Sequence, residues 1–508
     1  MRFFTSALAW LQHTRRARDG RGGEQCDPLA MPLVWLNKFD ALSPYDLFEG
    51  CQVVGASGSG KTSSAAHILR ALFRANFGGI VLCAKPGEFE HVYRIAQETG
   101  AERRVVRFAP EEAWRYNPFA FELQRATRGA GLITNIVALI LQAMECGGRG
   151  KNTGGDTYWQ DALTELLTAA VHLVCVSTGD CQLSDVLQVI QTAPQSREDV
   201  TPESTWSRTS ACFAMLLAAE KKVTTEAEYG DLAVTEQYFF RTFPELASKT
   251  RSIVVSSVSA MLSPMMRSPM RELFCTTTNI DPTACERGAI VVVDLPVKDF
   301  GSVGTFAQTL WKMTFQKAME QRDIAKSPVP TFLWADESQY FVSSYDLQFL
   351  ATARSSRVCT VYLTQNIPSY YEALGRDHQG QHKVDALLGN LGTKLWLANG
   401  DPTTNEHAAK MIAQTWQMRQ GANQGYSSNM SQQGGSLTTD TTTSVNYSDN
   451  QGVSLSEQLA FQILPQEFTT LRTGGPRNNL LVDGIIFKPG RVWNATGTNF
   501  MRVTFKQQ

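Results

Sequence analysis

Eight consecutive residues, Gly55-Ala56-Ser57-Gly58-Ser59-Gly60-Lys61-Thr62, follow the spacing G-x-x-x-x-G-K-S/T. A loop of this kind works only as the turn between a buried strand and a helix, so it constrains the surrounding fold more than any other stretch. Both flanks comply. Cys51-Gln52-Val53-Val54 is a short apolar run, and the residues after Thr62 place Ile68, Leu69 and Leu72 on one helical face. A glycine-rich turn in that setting aims successive backbone N–H groups inward, and the helix N-terminus adds partial positive charge. Lys61 is then expected to reach the β- and γ-phosphates of ATP, and Thr62 to hold Mg2+ through its hydroxyl. A chance glycine-rich turn would lack such flanks.

The rest of the chain supplies partners for this unit. Apolar runs at 79–84 and 104–109, separated by a helical stretch, begin a parallel, helix-covered sheet. The sheet resumes at 288–295, and a helix over 305–321 follows. The apolar run 330–335 then ends in Asp336-Glu337. Asp336 is expected to take Mg2+ through water, and Glu337 to polarise the water that attacks the γ-phosphate. Carboxylates at strand ends also cap helices, so this pair gains its meaning from the P-loop upstream. The next strand, 357–363, ends in Thr364-Gln365-Asn366, where Gln365 either senses the γ-phosphate or only satisfies a loop. A further strand, 393–397, leads to Asp401-Pro402, a suitable helix start, and 480–487 reads as the last strand.

Between the two groups of strands the texture changes. Residues 132–140, 158–176, 184–190 and 210–222 carry helical periodicity, with Ser184 read as a cap. The expected fold class is therefore α/β: a P-loop NTPase domain with a mostly parallel sheet, built from 49–125 and 287–508, and an all-α domain inserted at 126–286. Residues 1–48 form a lead-in. Residues 420–456 are rich in Ser, Thr, Gln, Asn and Gly and cannot form a core, leaving a flexible excursion or a two-stranded arm with Gly434-Gly435 at its tip.

Charge and cysteine usage narrow the function classes. With a formal net charge of −1, affinity for nucleic acid must come from a local patch or channel. The loop 147–155, with Arg149 and Lys151, offers one basic stretch, and its plainer reading is a solvated turn. Ten cysteines contain no C-x-x-C pair, so neither a zinc site nor a disulfide framework is indicated. Cys83, Cys175 and Cys359 sit in apolar runs, as reduced core cysteines do, which fits a cytoplasmic location. No run of about 18 continuous apolar residues is evident, so no spanning segment is expected. Residues 1–21, apolar and then Arg-rich, read as a docked or frayed terminus, or as a peripheral membrane-surface helix.

Taken in order over residues 50–490, these features resemble the type IV coupling proteins, the TraG/TraD-like ATPases of conjugation and type IV secretion within the FtsK/HerA group of ring motors. The matching positions are the P-loop, Lys85 to Glu88, Asn117-Pro118, Tyr158-Trp159, Asp336-Glu337, Arg354, Thr364-Gln365 and Asp401 to His407. The resemblance implies a RecA-like nucleotide domain, an all-α domain, and a hexameric ring that handles DNA or secreted protein beside a relaxosome and a secretion channel. It also implies that Arg354 is an arginine finger and Gln365 a γ-phosphate sensor. Arg357, which opens the same strand, competes with Arg354 and reads better as a local structural residue. Two features depart from the family pattern: typical members carry two membrane-spanning helices, and Pro86 stands here between Lys85 and Gly87. A soluble HerA/FtsK-like translocase in DNA processing or phage defence is the alternative motor, and a slowly hydrolysing recruitment adaptor the non-motor reading.

Overall fold

The structure, a computed structural model, describes residues 27–125, 131–146, 157–201, 203–432 and 443–507. The N-terminal segment 1–21, the basic loop 147–155 and Gly434-Gly435 lie outside them. Nine strands form one sheet: β1 (Cys51–Val54), β2 (Gly78–Leu82), β3 (Val105–Phe108), β4 (Ile290–Val293), β5 (Thr331–Ala335), β6 (Val358–Thr364), β7 (Thr393–Leu397), β8 (Leu481–Phe487) and β9 (Phe500–Lys506). Across the sheet the order is β9-β8-β7-β1-β6-β5-β2-β4-β3. All pairings among β1 to β7 are parallel, and β8 runs antiparallel to both β7 and β9. Strand β9 is an addition to the strands expected from the sequence. Its signal was there: Met501, Val503 and Phe505 are buried and alternate with exposed Arg502, Thr504 and Lys506, the period of a one-sided edge strand.

The strands that line the site are buried on both faces, as their continuous apolar runs require. Val53, Val81, Val292, Phe332 and Val361 pack on one side against α1 (Lys61–Arg74) and α2 (Glu88–Thr99). Ile80, Leu82, Val291, Val293 and Leu333 face the other side. There they share one core with α3 (Ile133–Cys146), α4 (Thr157–Thr178), α5 (Leu183–Gln191), α6 (Ala211–Glu220), α7 (Ser248–Leu262) and α8 (Val297–Gln321). The helical stretch thus stands on the sheet face opposite the P-loop helix. Ser184 lies inside α5, which starts one residue earlier after Gln182, so it does not cap that helix.

Helix α4 differs from expectation. Gln160–Thr178 is long and apolar enough to cross a membrane, with a mean hydropathy of 1.3, because scattered polar residues interrupt the run without lowering its average much. Leu163, Leu166, Leu167, Ala170, Val171 and Val174 are instead buried in the protein core. A helix apolar on most of its circumference suits the centre of a helical layer equally well.

Helix α8 breaks at Gly301 (φ 55°, ψ −139°), and every residue from Gly304 to Met319 is buried. Sandwiched helices of this kind must satisfy their polar groups internally. The Lys312 ammonium is fully buried, pairs with Asp346, and donates to the Phe341 carbonyl at 2.6 Å. Asp346 also accepts from Gln316 Nε2 at 2.8 Å, the Tyr362 hydroxyl at 2.6 Å and the Ser343 amide at 2.7 Å. This network ties α8 to the loop that follows Glu337. Asp346→Ala, which strands the Lys312 charge, is expected to cost about 3–5 kcal/mol. Chemical denaturation of both proteins measures this, and a cost under about 1 kcal/mol would mean the site relaxes or hydrates.

Residues Gly400–Thr470 form a compact unit of their own. Asp401 caps the helix Pro402–Ile412 by accepting from the Thr404 amide at 2.8 Å. Gln414–Gln432 and Thr443–Phe461 then pair antiparallel, with Gln414 opposite Phe461 and Gln432 opposite Thr443. The described parts of the low-complexity stretch, 420–432 and 443–456, thus lie in two paired strands that begin before residue 420 and end after 456.

Candidate functional site

Parallel order brings four strand ends to one edge: the P-loop after β1, Lys85 after β2, Asp336-Glu337 after β5 and Gln365 after β6. Ligands of open α/β sheets bind in this position. The P-loop is tethered on both sides, the Gly55 amide donating to Thr364 O at 3.3 Å and the Ala56 amide to Ala398 O at 2.9 Å. Ser57, Gly58 and Ser59 form its turn. Glycine is demanded at Gly60, where φ is 86° and a Cβ would come within 2.6 Å of Val482. The Lys61 ammonium donates to Gly55 O at 2.8 Å and Ala56 O at 3.3 Å, at the mouth of the cradle. Burial lowers its pKa, against the pull of Glu337 and Asp336.

The Thr62 hydroxyl and Asp336 Oδ2 stand 3.1 Å apart although 274 residues separate them. A hydroxyl and a carboxylate converging beside a lysine-tipped cradle form the hard-oxygen set that Mg2+ with a phosphate requires. The residues present fit both nucleotide and ion.

Glu337 is almost entirely buried and has a left-handed backbone (φ 48°, ψ 49°), a conformation that non-glycine residues adopt at some cost and that concentrates at functional positions. Both carboxylate oxygens are engaged. Gln365 Nε2 donates to Oε1 at 3.0 Å, Gln339 Nε2 donates to Oε2 at 2.9 Å, and Lys85 makes a short ion pair with Oε1. Burial works to raise the Glu337 pKa, but these three donors, Lys85 foremost, hold it below the ordinary carboxylate range. Glu337 is therefore a carboxylate at neutral pH. Gln365 is in turn placed by Asn399, whose Nδ2 donates to its carbonyl at 2.9 Å.

The Lys85 turn is built as firmly. Where β2 runs out, Gln308 from α8 replaces a neighbouring strand, accepting from the Cys83 amide at 2.7 Å and donating to Cys83 O at 2.9 Å. Glu88 Oε2 then accepts from the Ala84 amide at 2.7 Å and closes the turn. Burial, reinforced by the Asp336 charge, pushes Glu88 up to about 8. Lys85 and Glu88 were visible in the sequence only as part of a family resemblance, and Gln339, Gln308 and Asn399 had no signal at all.

Arg354 is elsewhere. It precedes β6, at the sheet edge opposite the P-loop, and its side chain is 66% exposed beside Glu49 Oε1 at 3.3 Å. Arg357 sits nearby with φ 51°, and its carbonyl accepts from the Thr331 amide at 3.1 Å and from Arg322 at 3.3 Å. Both ties are made by the Arg357 backbone and not by its guanidinium.

One strand lies between the P-loop strand and the strand ending in paired acids, and that inserted strand carries a polar tip. Together with the parallel sheet, this defines a P-loop NTPase of the RecA-like kind with an all-α region. The family model described as Type IV secretory system Conjugative DNA transfer matches residues 8–473. The chain belongs to that family. No curated protein sequence matches the chain. Among solved structures it is similar to the bacterial conjugative coupling protein TrwBdeltaN70 in its trigonal form with sulphate: TM-score 0.60, 11% identity, covering 98% of this chain and 92% of that one. It is also similar to the plasmid coupling protein TrwB with the non-hydrolysable ATP analogue ADPNP (TM-score 0.57, 12% identity, 97% and 92% covered). The same protein with ADP and Mg2+ gives a TM-score of 0.56 at 11% identity, covering 92% and 87%. At these identities the likeness is one of fold.

Proposed function

We propose that this member of the conjugative DNA-transfer family is an ATP-hydrolysing coupling-protein motor that assembles as a homo-oligomeric, hexameric ring and moves or recruits DNA toward a secretion channel. The observation that carries the reading is the convergence of Lys61, Thr62, Asp336, Glu337 and Gln365 on one sheet edge, in a chain of this family. Lys61 would place its charge against the transferring phosphoryl group, Gln365 would sense the γ-phosphate, and Glu337 would polarise the attacking water and accept its proton. Thr62 and Asp336 would hold Mg2+, which neutralises phosphate charge when bound. TrwB forms a complex with ADP and Mg2+, and this chain has residues of the right chemistry for the same pair. Relaxosome and channel proteins are the partners this role calls for.

The test is ATP turnover with and without single- and double-stranded DNA across a salt series. DNA is expected to raise turnover, with an apparent affinity that falls steeply with salt and varies little with sequence, because phosphate contacts release counterions. With a net charge of −1, that dependence must come from a few Lys and Arg in a channel. Turnover indifferent to DNA at every salt concentration favours a recruitment adaptor instead.

A further inference from the structure

The two members of the Lys85–Glu337 pair differ in their exposure. The proton-accepting carboxylate is 2% exposed, whereas the lysine that holds it is 37% exposed on the crevice side. Lys85 follows β2 and Lys61 follows the loop after β1, so both stand at the same edge of the sheet, where the Lys85 charge adds to burial in disfavouring a charged Lys61. Burial disfavours the charged Lys85, but its bond to Glu337 and the Asp336 charge outweigh burial and keep it an ammonium. The turn bearing Lys85 is rigid, clamped by Gln308 on one side and Glu88 on the other, while the side chain beyond it is a flexible four-carbon stem. One donor is therefore poised between a buried carboxylate and the position where Lys61 would bring phosphate oxygens.

We propose that Lys85 couples arrival of the γ-phosphate to release of the base. Its ammonium pins Glu337 Oε1 and passes to a γ-phosphoryl oxygen when a triphosphate binds, leaving Glu337 free to accept the proton of the attacking water. The diphosphate has no γ-oxygen to draw the lysine away, so the pin stays closed on product. Lys85 thereby acts as a positioning residue for Glu337 and as a discriminator of triphosphate from diphosphate. The inference rests on the nucleotide-hydrolysis reading above.

Equilibrium titrations with fluorescent derivatives of ADP and of the non-hydrolysable β,γ-imido analogue of ATP, in Mg2+, separate the two ideas. Lys85→Met is expected to leave ADP affinity within about twofold and to weaken the triphosphate analogue by about tenfold, the scale of one charge-assisted hydrogen bond. Lys85→Arg, which keeps the charge, should retain most of the preference. The signature of the hand-over is coupling. Glu337→Gln releases the lysine and should tighten analogue binding several-fold, but should do nothing in the Lys85→Met background. Equal loss for both nucleotides in Lys85→Met, or the same Glu337→Gln effect in both backgrounds, overturns the proposal. Wild-type protein that binds neither nucleotide overturns the hydrolysis reading and the hand-over with it.

Discussion

Arg354→Ala protein is expected to bind ATP with unchanged affinity and to hydrolyse it about 10³ to 10⁵ times more slowly, the contribution of an arginine finger. The arginine cannot serve its own site. It stands at the start of the seven-residue strand β6, whose far end reaches the P-loop crevice, and a strand of that length spans roughly 20 Å. In the proposed ring, the phosphate it would contact belongs to a neighbouring copy of the chain. Its exposed pairing with Glu49 is weak enough to exchange, since such pairs contribute at most about 1 kcal/mol. Mixing Arg354→Ala with Glu337→Gln protein should therefore restore part of the activity, because some interfaces then join an intact Glu337 to an intact Arg354. Absence of recovery at every mixing ratio, in assemblies verified as mixed, rules out the trans arrangement.

Glu337→Gln protein should retain nucleotide yet lose about 10² to 10⁴ of its turnover, the usual share of a general base. The amide fills the same volume, but it cannot accept the proton of the attacking water. Single-turnover hydrolysis beside a binding titration separates the two effects, and normal turnover would place the base elsewhere. Glu88 is a poor substitute, because one of its oxygens is committed to the Ala84 amide that closes the Lys85 turn. Gln365 and Gln339 hold Glu337 from the other sides, so each alone should matter less than the carboxylate they orient.

Much of this site could be read along the chain. The P-loop is a local backbone requirement: strand, glycine turn and helix are contiguous, and Gly60 must occupy a left-handed conformation wherever the motif occurs. Asp336-Glu337 and Gln365 were legible for a related reason, as polar residues that terminate continuous apolar strands. Helices α3, α4, α5 and α6 followed from periodicity, although Ser184 misled as a cap because α5 already begins at Leu183, after Gln182. Strand β9 was missed, although its alternation is regular.

Other features exist only once the chain has folded. Lys85 meets Glu337 across 252 residues of sequence, and Gln308 completes β2 from 225 residues away. Nothing in the composition of either segment announces such contacts, because they depend on which strands become neighbours, and strand order is a global property of the sheet. The same holds for Arg354, whose placement at the sheet edge remote from the P-loop follows from the direction of β6 in the folded sheet. The chain by itself determined the candidate side chains, through motifs whose spacing is dictated by local backbone geometry. The tertiary structure alone decided which of them touch, because those distances are set by the packing of elements remote in sequence.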